Sequence, residues 1–298
     1  VTRYLHYDVF TDQPLTGNQL AVFTDPAGLA TDDMARLTRE MNFSECTFLF
    51  PADQPGTDVR VRIFCPEGEM PFAGHPVIGS TFALAHEGLV KPPAARLVLG
   101  LGLGPTAVDL EWKGGALAFA WMTQRRPAFG PVLEARERLA AALGIEPSAM
   151  HGGAPIQEVS CGLGFVYVPL RSRAAVDRCV RDARTSEAIL TEAGVPGRGI
   201  FVFSVERGDD DATVYSRMLD LGREDPATGS ASGPLGCYLL RYGLVPAGEA
   251  GRIVSRQGAK MGRPSRVHIR IGGTPDEIID VRVGGTSVLV GDGRITRL

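Results

Sequence analysis

The chain has 298 residues, 44% of them hydrophobic, which is enough for one large core or two of ordinary size, so two domains are the starting expectation. A formal net charge of −3, with no run of Lys or Arg, offers no field for a phosphate backbone and argues against a nucleic-acid partner. The only lysines are Lys91, Lys113 and Lys260, which leaves few candidates for Schiff-base chemistry, and five scattered cysteines without C-x-x-C spacing suggest neither a disulfide framework nor a zinc site.

At the N-terminus, "VTRYLHYDVFTDQPLTG" is broken by Asp8 and Asp12 and has no apolar signal core. No stretch approaches the roughly 18 uninterrupted apolar residues of a membrane span. With unpaired cysteines this reads as a soluble protein of the reducing cytoplasm. "TDDMARLTREMN" (31–42) predicts a helix, with Thr31 as N-cap, two acids in the first turn and Met34, Leu37 and Met41 on one face. "FSECTFLF" (43–50) and "DVRVRIF" (58–64) predict strands. "VIGSTFALAHEG" predicts a helix stopped at Gly88, and strand signals return in "RLVLGL" and "ALAFAWM".

The second half repeats this order: a strand at "LGFVYVPL", a helical region from about 174 to 193, then strands at "IFVFSV" and "VYSRML". A helix opening after Gly229 and stopping near Gly243 follows, and "RIVSRQG", "RVHIRIG" and "IIDVRVGGTSVLV" close the chain as strands. Pro71 and Pro226, Gly74 and Gly229, and Phe48 and Phe203 all stand 155 residues apart. A duplication accounts for that, and so would two unrelated turn-to-helix junctions in a chain rich in Gly and Pro.

In both copies, "EMPFAGHPVIGS" (69–80) and "EDPATGSASGPLG" (224–236), a Pro, two residues and a Gly precede His75 or Ser230 and an apolar helical run. A helix opening there points unpaired N–H groups outward and suits a carboxylate or phosphate, while Gly74 and Gly229 let a ligand approach the backbone. Capping without any ligand is the plainer reading of Ser230; His75 is a poor cap, with Pro76 after it at a natural first helical position. Of the carboxylates Glu224 and Asp225, at most one need face a ligand. Alternation puts Phe43, Glu45, Thr47 and Leu49 on one strand face. Burial there would suit Glu45 to taking and returning a proton, whereas a solvent-facing strand would make it an ordinary surface charge.

These residues resemble the PhzF-like family, named for a phenazine-biosynthesis isomerase. "GNQLAVF" (17–23), "EMNFSECTF" (40–48), "FAGHPVIGS" (72–80), "EDPATGSASGPLG" and "SRQGAKMGRPS" (255–265) are similar to its signatures, in order and across nearly the whole chain. The resemblance implies an α+β, diaminopimelate epimerase-like fold. Two pseudo-symmetric domains, each a mixed sheet wrapped round a central helix, would span 1–125 and 126–298, with the C-terminal strand free to return to the first half. It also implies a homodimer, no metal and no organic cofactor.

Racemases of the superfamily trade a proton between two cysteines, whose positions match Ala73 and Thr228 here, and neither side chain can serve as a thiolate base. Cys46 and Cys65 do not replace the pair. The resemblance therefore implies a cofactor-independent isomerase of a small amino- or hydroxy-carboxylate, with trans-2,3-dihydro-3-hydroxyanthranilate as one candidate. Glu45 would be general base and acid, His75 and Asp225 would share the proton traffic, and Asn18, Gly74, Gly229 and Ser230 would bind substrate. A non-cysteine amino-acid epimerase and a non-catalytic carboxylate-binding protein are the alternatives.

Overall fold

The computed structural model describes residues 2–220 and 222–296. The chain divides into two compact units, Val1–Thr123 with Val283–Leu298, and Gln124–Arg282. No helix among the described residues is long and apolar enough to cross a membrane.

The first unit runs β1 (Thr2–Val9), β2 (Asn18–Phe23), α1 (Thr31–Met41), β3 (Glu45–Pro51), β4 (Val59–Cys65), β5 (Gly68–Met70), α2 (Gly74–His86), β6 (Arg96–Leu101), β7 (Gly104–Lys113) and β8 (Ala116–Thr123). The final strand of the chain, Ser287–Ile295, pairs antiparallel with β1. β2 and β3 are parallel, β3 and β4 antiparallel, and β4 then pairs antiparallel with β5 and parallel with β6. Every residue of α2 from Gly74 to Leu84 is buried, and the helix packs on β1, β2, β3 and β8. A helix apolar on all sides has to be enclosed, and the curled sheet encloses it.

The second unit runs β9 (Ala128–Val132), α3 (Arg136–Ala142), β10 (Gln157–Ser160), β11 (Gly164–Pro169), α4 (Arg173–Arg178), α5 (Ala183–Glu192), β12 (Ile200–Ser204), β13 (Val214–Leu219), β14 (Glu224–Asp225), α6 (Gly229–Arg241), β15 (Ile253–Gln257), β16 (Ser265–Gly273) and β17 (Ile278–Gly285). Its pairings repeat the first unit: β11 and β12 parallel, β12 and β13 antiparallel, β13 antiparallel with β14 and parallel with β15. α6 is buried from Gly229 to Leu240, and Leu235, Tyr238 and Leu239 anchor a core with Tyr167, Phe201 and Phe203. α2 and α6 have the same length, 13 residues, and start at the two glycines 155 apart. The repeat is thus one of whole elements and strand order, which unrelated turns would not produce.

Three local expectations are corrected. Thr31 is the first helical residue of α1 and not its cap; Ala30 takes that place because Asp33 reaches back to its N–H at 3.2 Å. The helical region near 174–193 is two helices, because Asp182 accepts from the N–H groups of Arg184 and Thr185 and restarts the helix, while Val180 and Asp182 donate to the end of α3. Pro76 is the third residue of α2, not the first. Its missing N–H still costs nothing, since all the first-turn N–H groups lack helical acceptors.

Each central helix comes close to its sheet at a glycine. A Cβ on Gly79 would lie 2.5 Å from Leu20 Cδ2 and 2.9 Å from Val9 Cγ2, and one on Gly236 would lie 2.6 Å from Ile269 Cγ2 and 2.8 Å from Ile271 Cγ1. All four neighbours are buried and have no room to retreat. Alanine in place of a mid-helix glycine gains about 1 kcal/mol of helix propensity, but overpacking a closed core costs about 1–3 kcal/mol. We expect Gly79→Ala and Gly236→Ala each to lower unfolding free energy in urea by about 1–2 kcal/mol. Unchanged or raised midpoints would show that the helices sit further from their sheets.

Candidate active site

In the first unit the start of α2 and the start of β3 bring three residues of separate sequence motifs together. Glu45 opens β3, beside Leu20 of β2 in the parallel ladder. Two residues on, Thr47 accepts a hydrogen bond from Ser80 of α2 at 2.9 Å, so this face of the strand is turned to the helix and not to solvent. Phe43 departs from the expected alternation: it precedes β3 and packs with the Phe48 and Cys46 cluster. Glu45 Oε2 lies 3.5 Å from His75 Nε2. The histidine is only 3% exposed and the Glu45 side chain 15%, so the pair sits in a mostly water-excluded place with one edge open.

The other ring nitrogen is held by Asn18, itself 2% exposed. Ser44 Oγ donates to Asn18 Oδ1 at 3.1 Å, and Asn18 Nδ2 stands 3.2 Å from His75 Nδ1. With Ser44 donating, the amide presents N–H to the imidazole, so Nδ1 is the acceptor and the ring proton belongs on Nε2, facing Glu45. Ser44 went unnoticed in the sequence, although it adjoins Glu45 in "NFSE".

In the second unit the start of α6 and the end of β15 meet around Asp225. Glu224, its neighbour, is taken up in a bidentate pair with the buried Arg217 at 2.9 and 2.7 Å. Thr228 Oγ1 donates to Asp225 Oδ2 at 2.5 Å, and Gln257 bonds to Thr228 and to the Asp225 carbonyl. Neither His75 nor Ser230 is a helix cap. Each is the second residue of its helix, and the caps are Ala73 and Thr228, whose side chains make no capping bond. Ser230 is buried, and its hydroxyl forms no hydrogen bond among the described residues. Gln257 escaped the sequence reading, yet alternation in "RIVSRQ" turns it inward with Ile253 and Ser255.

The cysteines are placed for packing. Cys46 lies on the strand face opposite Glu45, and burial pushes its thiol up to about 12. Cys161 and Cys237 pair in the second core with their sulfurs 4.0 Å apart, and Cys237, at the ninth position of α6, is held far above the usual thiol range by Cys161 and by burial. Neither Cys46 nor Cys237 is a thiolate base at neutral pH.

Comparison with known proteins supplies the family. Residues 7–293 match the phenazine biosynthesis-like protein family, so the chain belongs to it. It is 35% identical to a trans-2,3-dihydro-3-hydroxyanthranilate isomerase of Pseudomonas aeruginosa, over 98% of each chain. Among solved structures it is similar to a phenazine biosynthesis protein of this family from Bacillus anthracis, at 26% identity and a TM-score of 0.88 over 99% of each chain. A probable proline racemase from Agrobacterium radiobacter, 13% identical, shares the fold alone, at a TM-score of 0.66 over 99% of this chain and 93% of that one. The chain is therefore an isomerase of this family with an α+β, diaminopimelate epimerase-like fold.

The amide contact on His75 generates a spectroscopic expectation. Nitrogen-15 shifts of the His75 ring in the neutral protein should show a proton on Nε2 and a bare Nδ1, and Asn18→Leu should move the ring toward a mixture of tautomers. A protonated Nδ1 in the wild type would mean that Asn18 presents its oxygen instead.

Proposed function

We propose, taking membership of this family as the premise, that the chain is a cofactor-independent isomerase of a small amino- or hydroxy-carboxylate. Trans-2,3-dihydro-3-hydroxyanthranilate is the first substrate to test. Its support is the name carried by relatives such as the Pseudomonas aeruginosa isomerase. The single observation that carries the chemical reading is the buried contact between Glu45 Oε2 and His75 Nε2 at the start of a fully enclosed helix.

In this reading the Glu45 carboxylate removes a proton from a ring carbon, and the electron pair of that C–H bond moves into the conjugated system. The same carboxyl then returns the proton at another carbon of the system. One group serving as base and then acid needs a site where its neutral form is not heavily penalised, which the enclosed surroundings of Glu45 favour. His75, with its proton on Nε2, and Asp225 orient the amino and hydroxyl groups and share the proton traffic. By family resemblance Gly74, His75, Gly229 and Ser230 bind substrate; a helix N-terminus carries partial positive charge and a glycine backbone admits close approach, which suits a carboxylate. The reading includes a homodimer, by family resemblance.

Ala73 and Thr228 stand where a racemase of this fold would have its two thiols, and the buried cysteines are elsewhere. That favours proton shift over two-base racemisation.

The test is direct. Incubated with trans-2,3-dihydro-3-hydroxyanthranilate in deuterated water, the protein should abolish the diene absorbance and introduce no more than one solvent deuteron per product. Glu45→Gln should lower turnover by at least about a thousandfold while leaving substrate affinity within a few-fold. Turnover of Glu45→Gln at the wild-type rate would remove Glu45 from the chemistry. A wild type inert toward this compound would remove the substrate.

A further inference from the structure

Asp225 is held by a hydrogen-bond relay whose direction is set by the backbone. Gln257 is fully buried, and its side-chain amide touches two main-chain groups of opposite kind. Its Oε1 accepts from the Thr228 N–H at 3.0 Å, and its Nε2 donates to the Asp225 carbonyl at 2.7 Å. A backbone N–H only donates and a carbonyl only accepts, so the amide has one possible orientation. Nε2 then also donates to Thr228 Oγ1 at 2.9 Å. The hydroxyl accepts a hydrogen bond from that side and donates its own to Asp225 Oδ2 at 2.5 Å.

The chain around this relay is built to hold it. Ser265 Oγ donates to the Pro226 carbonyl at 2.9 Å, which ties the "DPAT" turn to the first residue of β16. Gly258, next to Gln257, has a φ of 72°, and a Cβ there would stand 2.3 Å from the Arg263 carbonyl oxygen and 2.5 Å from that of Pro226. Only glycine allows β15 to end against the turn in this way.

We propose that Gln257 and Thr228 are positioning residues that lock Asp225 Oδ2 as a hydrogen-bond acceptor and confine any proton Asp225 carries to Oδ1. This rests on the functional reading for its catalytic meaning, since it fixes the orientation of the carboxylate to which that reading assigns part of the proton traffic. It also gives Thr228 a task in place of the thiol chemistry of the racemases: its hydroxyl steers a neighbouring carboxylate.

The locked bond favours the ionised form of Asp225, so removing the hydroxyl has a sign. In carbon-13 NMR titrations of the Asp225 carboxyl, Thr228→Val should ionise about one pH unit higher than wild type, and Thr228→Ser, which keeps the hydroxyl, should match wild type. Gln257→Leu, which frees the hydroxyl to rotate, should move in the direction of Thr228→Val. The acid limb of the pH–rate profile should shift with each titration. In the unaltered protein the Thr228 hydroxyl proton should be downfield and slow to exchange. Wild type and Thr228→Val titrating together, or a fast-exchanging Thr228 hydroxyl, would overturn the relay. The titration needs no substrate, so a wild type inactive on the dihydroanthranilate would sink the functional reading and leave this result standing.

Discussion

A helix enclosed by its sheet on every side can present unsatisfied backbone groups only at its ends, and the rest of this molecule follows from that constraint. α2 and α6 have no polar face to spare: buried from their first residue through Leu84 and Leu240, they could not form in water alone and are stable only inside the sheets wrapped round them. Glycines at 79 and 236 let them sit close to those sheets. The candidate site residues Glu45, His75 and Asp225 lie at or beside their N-termini, where the fold leaves donors in place that would be intolerable midway along the helix.

The two helix ends carry the same frame but different side-chain chemistry. In the first unit, a carboxylate from β3 meets an imidazole from α2, and an asparagine from β2 holds the far side of the ring. In the second, a carboxylate from the turn before α6 is held by a threonine hydroxyl that a glutamine from β15 has already oriented. His75 and Asp225 are thus each backed by a buried amide, the kind of support that keeps a side chain in place without adding a second titrating group. The two halves share the frame and differ at Glu45, His75, Asp225 and Thr228.

Much of this was legible in the chain itself. The 155-residue separation of Pro71 from Pro226 and Gly74 from Gly229 marks the repeat, because Pro and Gly are needed at a turn into a helix whatever packs around it. Glu45 stood among apolar residues on one strand face, and His75 stood at a helix start where it is a poor cap. Other features were not readable because they depend on contacts distant in sequence. Asn18 read as a substrate contact, and only the fold reveals that Ser44 and His75 occupy its two ends. Gln257 lies 29 residues from the Thr228 it orients. The strand 18–23 lacks clean alternation because Leu20 to Phe23 are buried on both faces, so periodicity could not announce it.

The pairing of Glu224 with Arg217 also bears on which ligands this end of α6 tolerates. Two adjacent ionised carboxylates would repel an incoming anion by about 1–5 kcal/mol at separations near 6 Å and an effective dielectric of 20–80. Arg217, buried and further bonded to the carbonyls of Val176, Asp177 and Cys179, cancels the charge of Glu224. The anchoring guanidinium thus halves the negative field that an anion would meet beside Asp225. A turn bearing two acids in sequence behaves, toward a carboxylate ligand, as though it bore one.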